Sequence, residues 1–442
     1  MMTGAPANPL RRALLLGAAG MALAPALPAL AASDDRAGTV LASWYKLLLE
    51  LIRGTATYSP PVAARAFAYL GVTVFESVAQ HDPALRSLAG QVNGLTAPPA
   101  PPGEMDQAAV LHGALTHAMH AHFGNTGPTG QRAMQAMGER LGALATAGLT
   151  ADLAQRSLAH GQALSQHILD WSATDGGAVI ENLGFPQDAA PPSGPADWVP
   201  TSTIGLQQRP LLPDWGSNRP FALPAGDLCA LPPPTPYSED PASAFYAEAM
   251  EVYTVSKALT KEQKTIARFW SDDPMLSPTP PGHWVSIALQ IFARDATPLA
   301  RQAETLALVG IAISDGFVAC WRTKYEVNLL RPVTYIRRVI DPAWEPLLIT
   351  PPFPEYPSGH STQSGAAAGV MAGLYGADFA FEDATHEEDG LAPRHFASFD
   401  EAAREAAISR LYGGIHFAAA NRMGLEQGAC VADHVLRIRT RA

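Results

Sequence analysis

Apolar residues in the N-terminal third of the chain recur every three or four positions, the period of a helix buried along one face. Leu41, Trp44, Leu47, Leu48 and Leu51 mark such a face over residues 40–53. Tyr58-Ser59-Pro60-Pro61 ends it, because proline lacks the backbone donor that an interior helical turn requires. Further runs rich in Ala and Leu cover residues 62–80, 106–122 and 130–171. No stretch here alternates with the period of two that marks a half-buried strand. The expectation is a helical layer over residues 32–175.

The pattern changes over residues 176–240. Pro191-Pro192, Pro210, Pro213, Pro220 and Pro232-Pro233-Pro234 exclude a long helix. Trp198, Trp215 and Phe221 lie among them and predict an ordered wrap over one end of the helical body, forming a substrate entrance. Helical periodicity returns near residue 241, and Pro278, Pro280 and Pro281 predict a break. Leu306, Val309, Ile313, Phe317 and Trp321 then form one stripe, with Lys324 a turn beyond it. Asp400 is the expected cap of a helix carrying Ser409 and Arg410. Gly413-Gly414 interrupts that helix ahead of His416, and another follows over 418–437. The fold class expected is all-α, with the functional residues in a C-terminal helical bundle over 241–442.

Composition narrows the function. Apolar residues make up 47% of the 442 and charged residues only 16%, so the chain can bury a large core. A formal charge of −11 argues against nucleic acid as a partner, since phosphate backbones select for Lys and Arg. Cys229, Cys320 and Cys430 are odd in number and widely spaced, and no disulfide framework is expected. Residues 1–31 look like a leader: Arg11-Arg12 precede Ala13-Leu14-Leu15-Leu16, no charge follows before Asp34, and Ala29-Leu30-Ala31 suits cleavage. The paired arginines resemble a twin-arginine signal, and Pro25 and Pro28 weigh against a retained membrane span. The location expected is periplasmic or secreted. His112, His117, His120 and His122 cluster on one predicted helix, but no Asp, Glu or Cys completes a metal set at suitable spacing.

The chemistry concentrates around Tyr356-Pro357-Ser358-Gly359-His360-Ser361-Thr362. Ser358 is a favourable helix N-cap, Gly359 lets a ligand approach the backbone, and the small-residue run to Gly376 predicts a helix that neighbours approach closely. The first N–H groups of such a helix lack internal partners and favour an oxyanion. Upstream, Lys324 precedes Arg331-Pro332 by six intervening residues. Downstream, Ser409-Arg410 precede His416 by five. Three cations and two histidines therefore bracket one anion seat. The blocks, in this order and at these spacings, resemble the signature shared by vanadium-dependent haloperoxidases and type-2 phosphatidic acid phosphatases.

The resemblance implies a double helical bundle resembling paired four-helix bundles, and one vanadate per chain. It implies Lys324, Arg331, Ser358, Gly359 and Arg410 as anion-binding residues, and His416 as the vanadium ligand. His360 is then the group that moves protons, and Lys324 the one that polarises peroxide. The reactants implied are hydrogen peroxide and a halide, with a small organic acceptor as a further candidate. Asp272, or its neighbour Asp273, falls where the family places a carboxylate bracing an active-site arginine. Phe353 falls where chloride-oxidising relatives carry an aromatic residue. The alternative in the same superfamily is an acid phosphatase with His416 as nucleophile. The shared signature usually has an Asp four residues after this histidine; here Ala420 stands there, followed by Asn421, which weighs against a phosphohistidine. A periplasmic oxyanion-binding protein would use the same cations without needing two histidines.

Overall fold

The computed structural model describes residues 33–186, 194–202 and 207–442; the expected leader lies outside them. Fourteen α-helices dominate the described residues, so the fold is all-α as expected, with one antiparallel hairpin pairing β1 (Phe381–Asp383) with β2 (Arg394–Phe396).

The N-terminal layer comprises α1 (Ser33–Gly54), α2 (Pro60–Ala79), α3 (Gln107–His122), α4 (Pro128–Ala145) and α5 (Ala151–Ser172). The stretch read as one helix over 130–171 is two. Gly148 turns at φ 77°, and Thr150 starts the second by accepting from the Leu153 N–H at 3.3 Å. The Pro-rich region holds only the short α6 (Gly177–Ile180) and a 3₁₀ turn at Pro213–Ser217 among its described residues. After it come α7 (Ala244–Lys257), α8 (Lys261–Phe269), α9 (Thr279–Asp295), α10 (Leu299–Val327), α11 (Pro332–Val339), α12 (Gly359–Tyr375), α13 (Phe399–Tyr412) and α14 (Ala418–Val435). Pro280 and Pro281, expected to break the chain, instead sit in the first turn of α9, where the missing N–H is not needed. Ser398, rather than Asp400, caps α13.

The long apolar helix α10 runs between α2 on one side and α12 on the other, buried along most of its length. Each fully buried Leu, Ile or Val side chain on it contributes about 1.5–3 kcal/mol. The α2–α10 crossing depends on glycine. A methyl at Gly71 would lie 2.5 Å from the Leu306 carbonyl oxygen. The expected close approach to α12 is also present: a methyl at Gly428 of α14 would lie 2.2 Å from the Thr362 carbonyl oxygen. Helices α2 and α10 are long and apolar enough to cross a membrane, yet 94% and 100% of those stretches is buried inside the protein.

One expectation about the cysteines is overturned. Cys229 of the Pro-rich wrap and Cys430 of α14 form a disulfide across 201 residues, with their Cα atoms 5.9 Å apart. Sequence spacing could not show it, because the fold alone carries the wrap over α14. Cys320 is free and buried.

Candidate functional site

Helix α12 begins at Ser358, whose hydroxyl accepts from the Ser361 N–H at 3.4 Å, leaving Gly359 and His360 in the first turn. The loop entering it is fastened from below. Lys324, in the last turn of α10, donates through Nζ to the carbonyls of Pro354 (2.8 Å), Glu355 (3.0 Å) and Pro357. Its donors are thus spent on the loop, and Lys324 is not among the residues lining the adjoining cavity. Arg331, the N-cap of α11, donates from Nε to the Phe353 carbonyl at 2.9 Å and from Nη1 to that of Ile415 at 2.8 Å. The Phe353 ring lies over both cations, 5.2 Å from Lys324 Nζ and 5.0 Å from Arg331 Cζ.

The two histidines approach from different elements. His416 follows Gly413-Gly414, where Gly414 adopts φ 75°. Its Nδ1 lies 2.8 Å from Glu355 Oε1, and its Nε2 lies 3.0 Å from Arg331 Nη1. A carboxylate accepts and a guanidinium donates, so Nδ1 carries the proton and Nε2 presents its lone pair. Glu355 also accepts from the Phe417 N–H at 2.9 Å. Sequence reasoning missed this residue. The orienting carboxylate sought at position 420 comes instead from the loop before α12, so its absence downstream no longer weighs against a nucleophilic His416. His360 Nε2 faces Arg410 Nη1 at 3.4 Å, and its ring also bonds the backbone of Ser271.

Arg410 ends α13. It donates from Nη2 to the carbonyls of Trp270 (2.6 Å) and Ala267 (3.3 Å), and from Nε to Ser409 Oγ (3.0 Å). The expected brace from Asp272 takes another form. Asp272, at φ 48°, accepts from His283 Nδ1 (2.9 Å) and His386 Nε2 (3.1 Å). His283 Nε2 reaches Asp383 at 2.7 Å, and His386 Nδ1 reaches Asp389 at 3.0 Å. Burial disfavours a charge on His283, but Asp272 and Asp383 outweigh it and push its pKa up to about 10. Asp272 thus pins the turn whose carbonyls hold Arg410, and reaches the arginine itself only through its field. The α3 histidines separate: His112 pairs with Trp44 and His117 with Ser165.

Charge is concentrated here. Lys324, Arg331 and Arg410 are 0–2% exposed, with Glu355, also fully buried, as the carboxylate among them. Burial draws Lys324 down to about 7 and both arginines down to about 10. Burial also lifts Glu355 to about 7, against the pull of Arg331 and Lys324. Both histidines are held far below the ordinary imidazole range by burial and then by the neighbouring arginines, so both are neutral. The residues suit a tetrahedral oxyanion such as vanadate. Arg331 Nη2 is buried with no hydrogen-bond partner among the described residues, and the excess of buried positive charge faces a helix N-terminus. His360, His416, Arg410 and Gly359 form the inner end of a cavity of about 650 Å³.

Known proteins share this architecture. The family described as "VCPO second helical-bundle domain" matches residues 304–442. A vanadium chloroperoxidase from Curvularia inaequalis is 28% identical over 210 residues, and the match covers 34% of this chain and 34% of that one, so the chain spans about a third of this relative's length. The crystal structure of a bacterial vanadium-dependent iodoperoxidase superposes with a TM-score of 0.81 at 36% identity, covering 90% of this chain and 95% of that one. A holo-type bacterial vanadium-dependent chloroperoxidase shares the fold, with a TM-score of 0.66 at 16% identity over 87% of this chain and 94% of its own.

Proposed function

The chain belongs to the vanadium haloperoxidase family, and from that premise we propose that it binds one vanadate and oxidises a halide with hydrogen peroxide to hypohalous acid. The observation that carries this reading is the neutral His416, held by Glu355 at Nδ1 and facing Arg331 Nη1 through Nε2 at 3.0 Å, on a buried guanidinium whose Nη2 has no hydrogen-bond partner among the described residues. Bound vanadate supplies a Lewis acid that activates peroxide toward halide without itself changing oxidation state. His416 would hold it through Nε2, with Glu355 fixing the ring by its bond to Nδ1. Arg331, Arg410, Ser358 and the Gly359 N–H would supply charge and donors to its oxygens. Lys324 shapes the seat by holding the 354–357 loop, and its positive charge favours the anion. His360, neutral and anchored by the Ser271 backbone, would take a proton from peroxide and return it as water forms. The balance is X⁻ + H₂O₂ + H⁺ → HOX + H₂O.

The Glu355–His416 pair also suits a phosphohistidine nucleophile, which keeps the phosphatase as the second reading. One purified preparation decides. After vanadate loading it is assayed for oxidation of chloride, bromide and iodide by peroxide, and without vanadate or peroxide for hydrolysis of p-nitrophenyl phosphate. The proposal expects halide oxidation that phosphate inhibits by competition. Halide oxidation that survives exhaustive removal of vanadate would overturn it. Export to an oxidising compartment belongs to the same proposal, and the Cys229–Cys430 disulfide supports it.

A further inference from the structure

Hypohalous acid formed at the oxyanion seat leaves through the cavity above it, so the groups lining that route meet the oxidant before bulk solvent does. A thioether reacts with electrophilic halogen well ahead of hydroxyls, amides and carboxylates, because its sulfur is soft and polarisable. Among the described residues that line the cavity, Met275 alone carries sulfur. It is 52% exposed, which places it where the cavity opens. The other described methionines are less accessible. Met119, Met134, Met371 and Met423 are buried, while Met105, Met137 and Met250 are partly buried and do not line the cavity. The Cys320 thiol is fully buried and is not part of the lining either.

The chain also holds this sulfur in place. Met275 stands at the tip of the turn between α8 and α9, at φ 68°. Beneath it, the Asp273 carbonyl accepts from the Leu276 N–H (3.1 Å), the Ser277 N–H (3.1 Å) and the Ser277 hydroxyl (3.3 Å). The base of the same turn bonds the ring of His360 through the Ser271 backbone, and the Trp270 carbonyl accepts from Arg410. One short segment therefore carries two of the seat's contacts at its base and an oxidisable sulfur at its tip.

We infer that Met275 is a modification site, converted to its sulfoxide by the hypohalous acid that this chain produces. The inference rests on the halide-oxidising reading above. A sulfur lone pair attacks the halogen of HOX, so that a sulfur–halogen bond forms as the oxygen–halogen bond breaks and hydroxide departs. Water then adds to the halosulfonium sulfur, and the sulfur–halogen electron pair leaves with halide: R₂S + HOX → R₂SO + X⁻ + H⁺. Sulfur is oxidised and the halogen reduced, with hypohalous acid as the oxidant and water as the source of oxygen. The lesion is of the reversible kind, since methionine sulfoxide reductases restore the thioether.

The test is peptide mapping by mass spectrometry of vanadate-loaded protein after turnover with peroxide and the preferred halide. Monochlorodimedone is present in excess to trap hypohalous acid in bulk, and its halogenation reports the turnover itself. Parallel samples receive the same total amount of reagent hypohalite with the same trap, or peroxide without halide. In turnover, oxidation of Met275 relative to Met105, Met137 and Met250 should exceed that in reagent hypohalite by about tenfold, a small part of what holding reactants together can give. With isotopically labelled peroxide the sulfoxide should carry no label, because its oxygen comes from water. Equal ratios in turnover and in reagent hypohalite overturn the inference while leaving the proposed function intact. Label in the sulfoxide, or equal oxidation of Met275 by peroxide alone, overturns it too, since either means direct oxygen transfer from peroxide. If the trap is not halogenated at all, the proposed function fails and the inference falls with it.

Discussion

Glu355 has two tasks: it accepts the Nδ1 proton of His416, and it is the carboxylate set among Lys324, Arg331 and Arg410. Substitution separates them. Glu355→Gln keeps an acceptor for Nδ1 while removing the charge, and should retain vanadate affinity. Glu355→Ala removes both and should weaken binding about 10–100-fold, the usual effect of losing the partner that orients a ligating histidine. Equilibrium dialysis checks this, and equal loss in both variants would assign Glu355 to charge alone. The two histidines divide in another way. His416→Ala should abolish most vanadate binding, whereas His360→Ala should retain it and lose turnover by about 10²–10⁴-fold. His360 is held below the ordinary imidazole range, so wild-type activity should persist into acid beyond the point where an unperturbed histidine protonates. His360→Ala should lose that acid limb. If it releases vanadate as readily as His416→Ala does, the roles are reversed. The cations, histidines and capping serine were legible in the sequence because their spacing is local to three blocks. Glu355 lay in plain view beside them, but its link to His416 spans 61 residues and exists only once α10, α11 and α14 set the loop in place.

At the scale of elements, the turn between α8 and α9 deserves a direct experiment, because it positions both Arg410 and His360 through backbone groups. Asp272 anchors it within the buried group formed by His283, His386 and Asp383. Removing one member of such a buried ionic group leaves an uncompensated charge, so His283→Ala should destabilise the protein by about 3–5 kcal/mol. The pH dependence follows from the shifts. His283 is raised to about 10, so its contribution is complete below the ordinary imidazole pKa of about 6.5 and is lost as pH rises through 10. Asp272 and Asp383 are depressed, so theirs is complete above the ordinary aspartate pKa of about 3.9 and is lost in acid. Melting temperature measured across alkaline pH should fall in the wild type and stay flatter in His283→Phe; parallel curves would show that His283 is not the titrating group. Helix periodicity revealed most of these elements in advance. It failed at α9 because Pro280 and Pro281 suggest a break to a reader who does not know where a helix starts. Asp272 was singled out by position as a brace for the arginine, but its partners are histidines from α9 and the segment after β1, and no local pattern joins them.

For the whole molecule, the open question is how a proline-rich strap with little regular structure stays closed over a packed helical body. It contributes Leu183 and Leu211 to the cavity wall, and the Leu211 carbonyl accepts from Trp321 Nε1 at 3.2 Å and from the Tyr325 hydroxyl at 2.6 Å. Its far end is tied by Cys229–Cys430. Next to that bond, Gln427 Nε2 donates to the Cys229 carbonyl at 3.1 Å, while Gln427 Oε1 accepts from Thr362 in the first turn of α12 at 3.2 Å. Composition alone predicted an ordered cover over this end, from the tryptophans among the prolines. The fastening was hidden because three distant cysteines give no pairing, and only the path of the strap brings residue 229 to α14. A loop closed over 201 residues constrains the unfolded chain strongly, so Cys430→Ser should lower stability by about 2–5 kcal/mol. None of the hydrogen bonds that hold Lys324, Arg331, Arg410 and His416 in the seat involves Cys229 or Cys430, so vanadate affinity in the same variant should stay close to wild type at temperatures where the protein is folded. Thermal melts of oxidised and reduced wild type beside Cys430→Ser, with vanadate binding measured on each, separate the two effects. Equal melting temperatures would show that the strap is held by its side-chain packing, and a joint loss of stability and vanadate affinity would place the strap within the anion seat instead of above it.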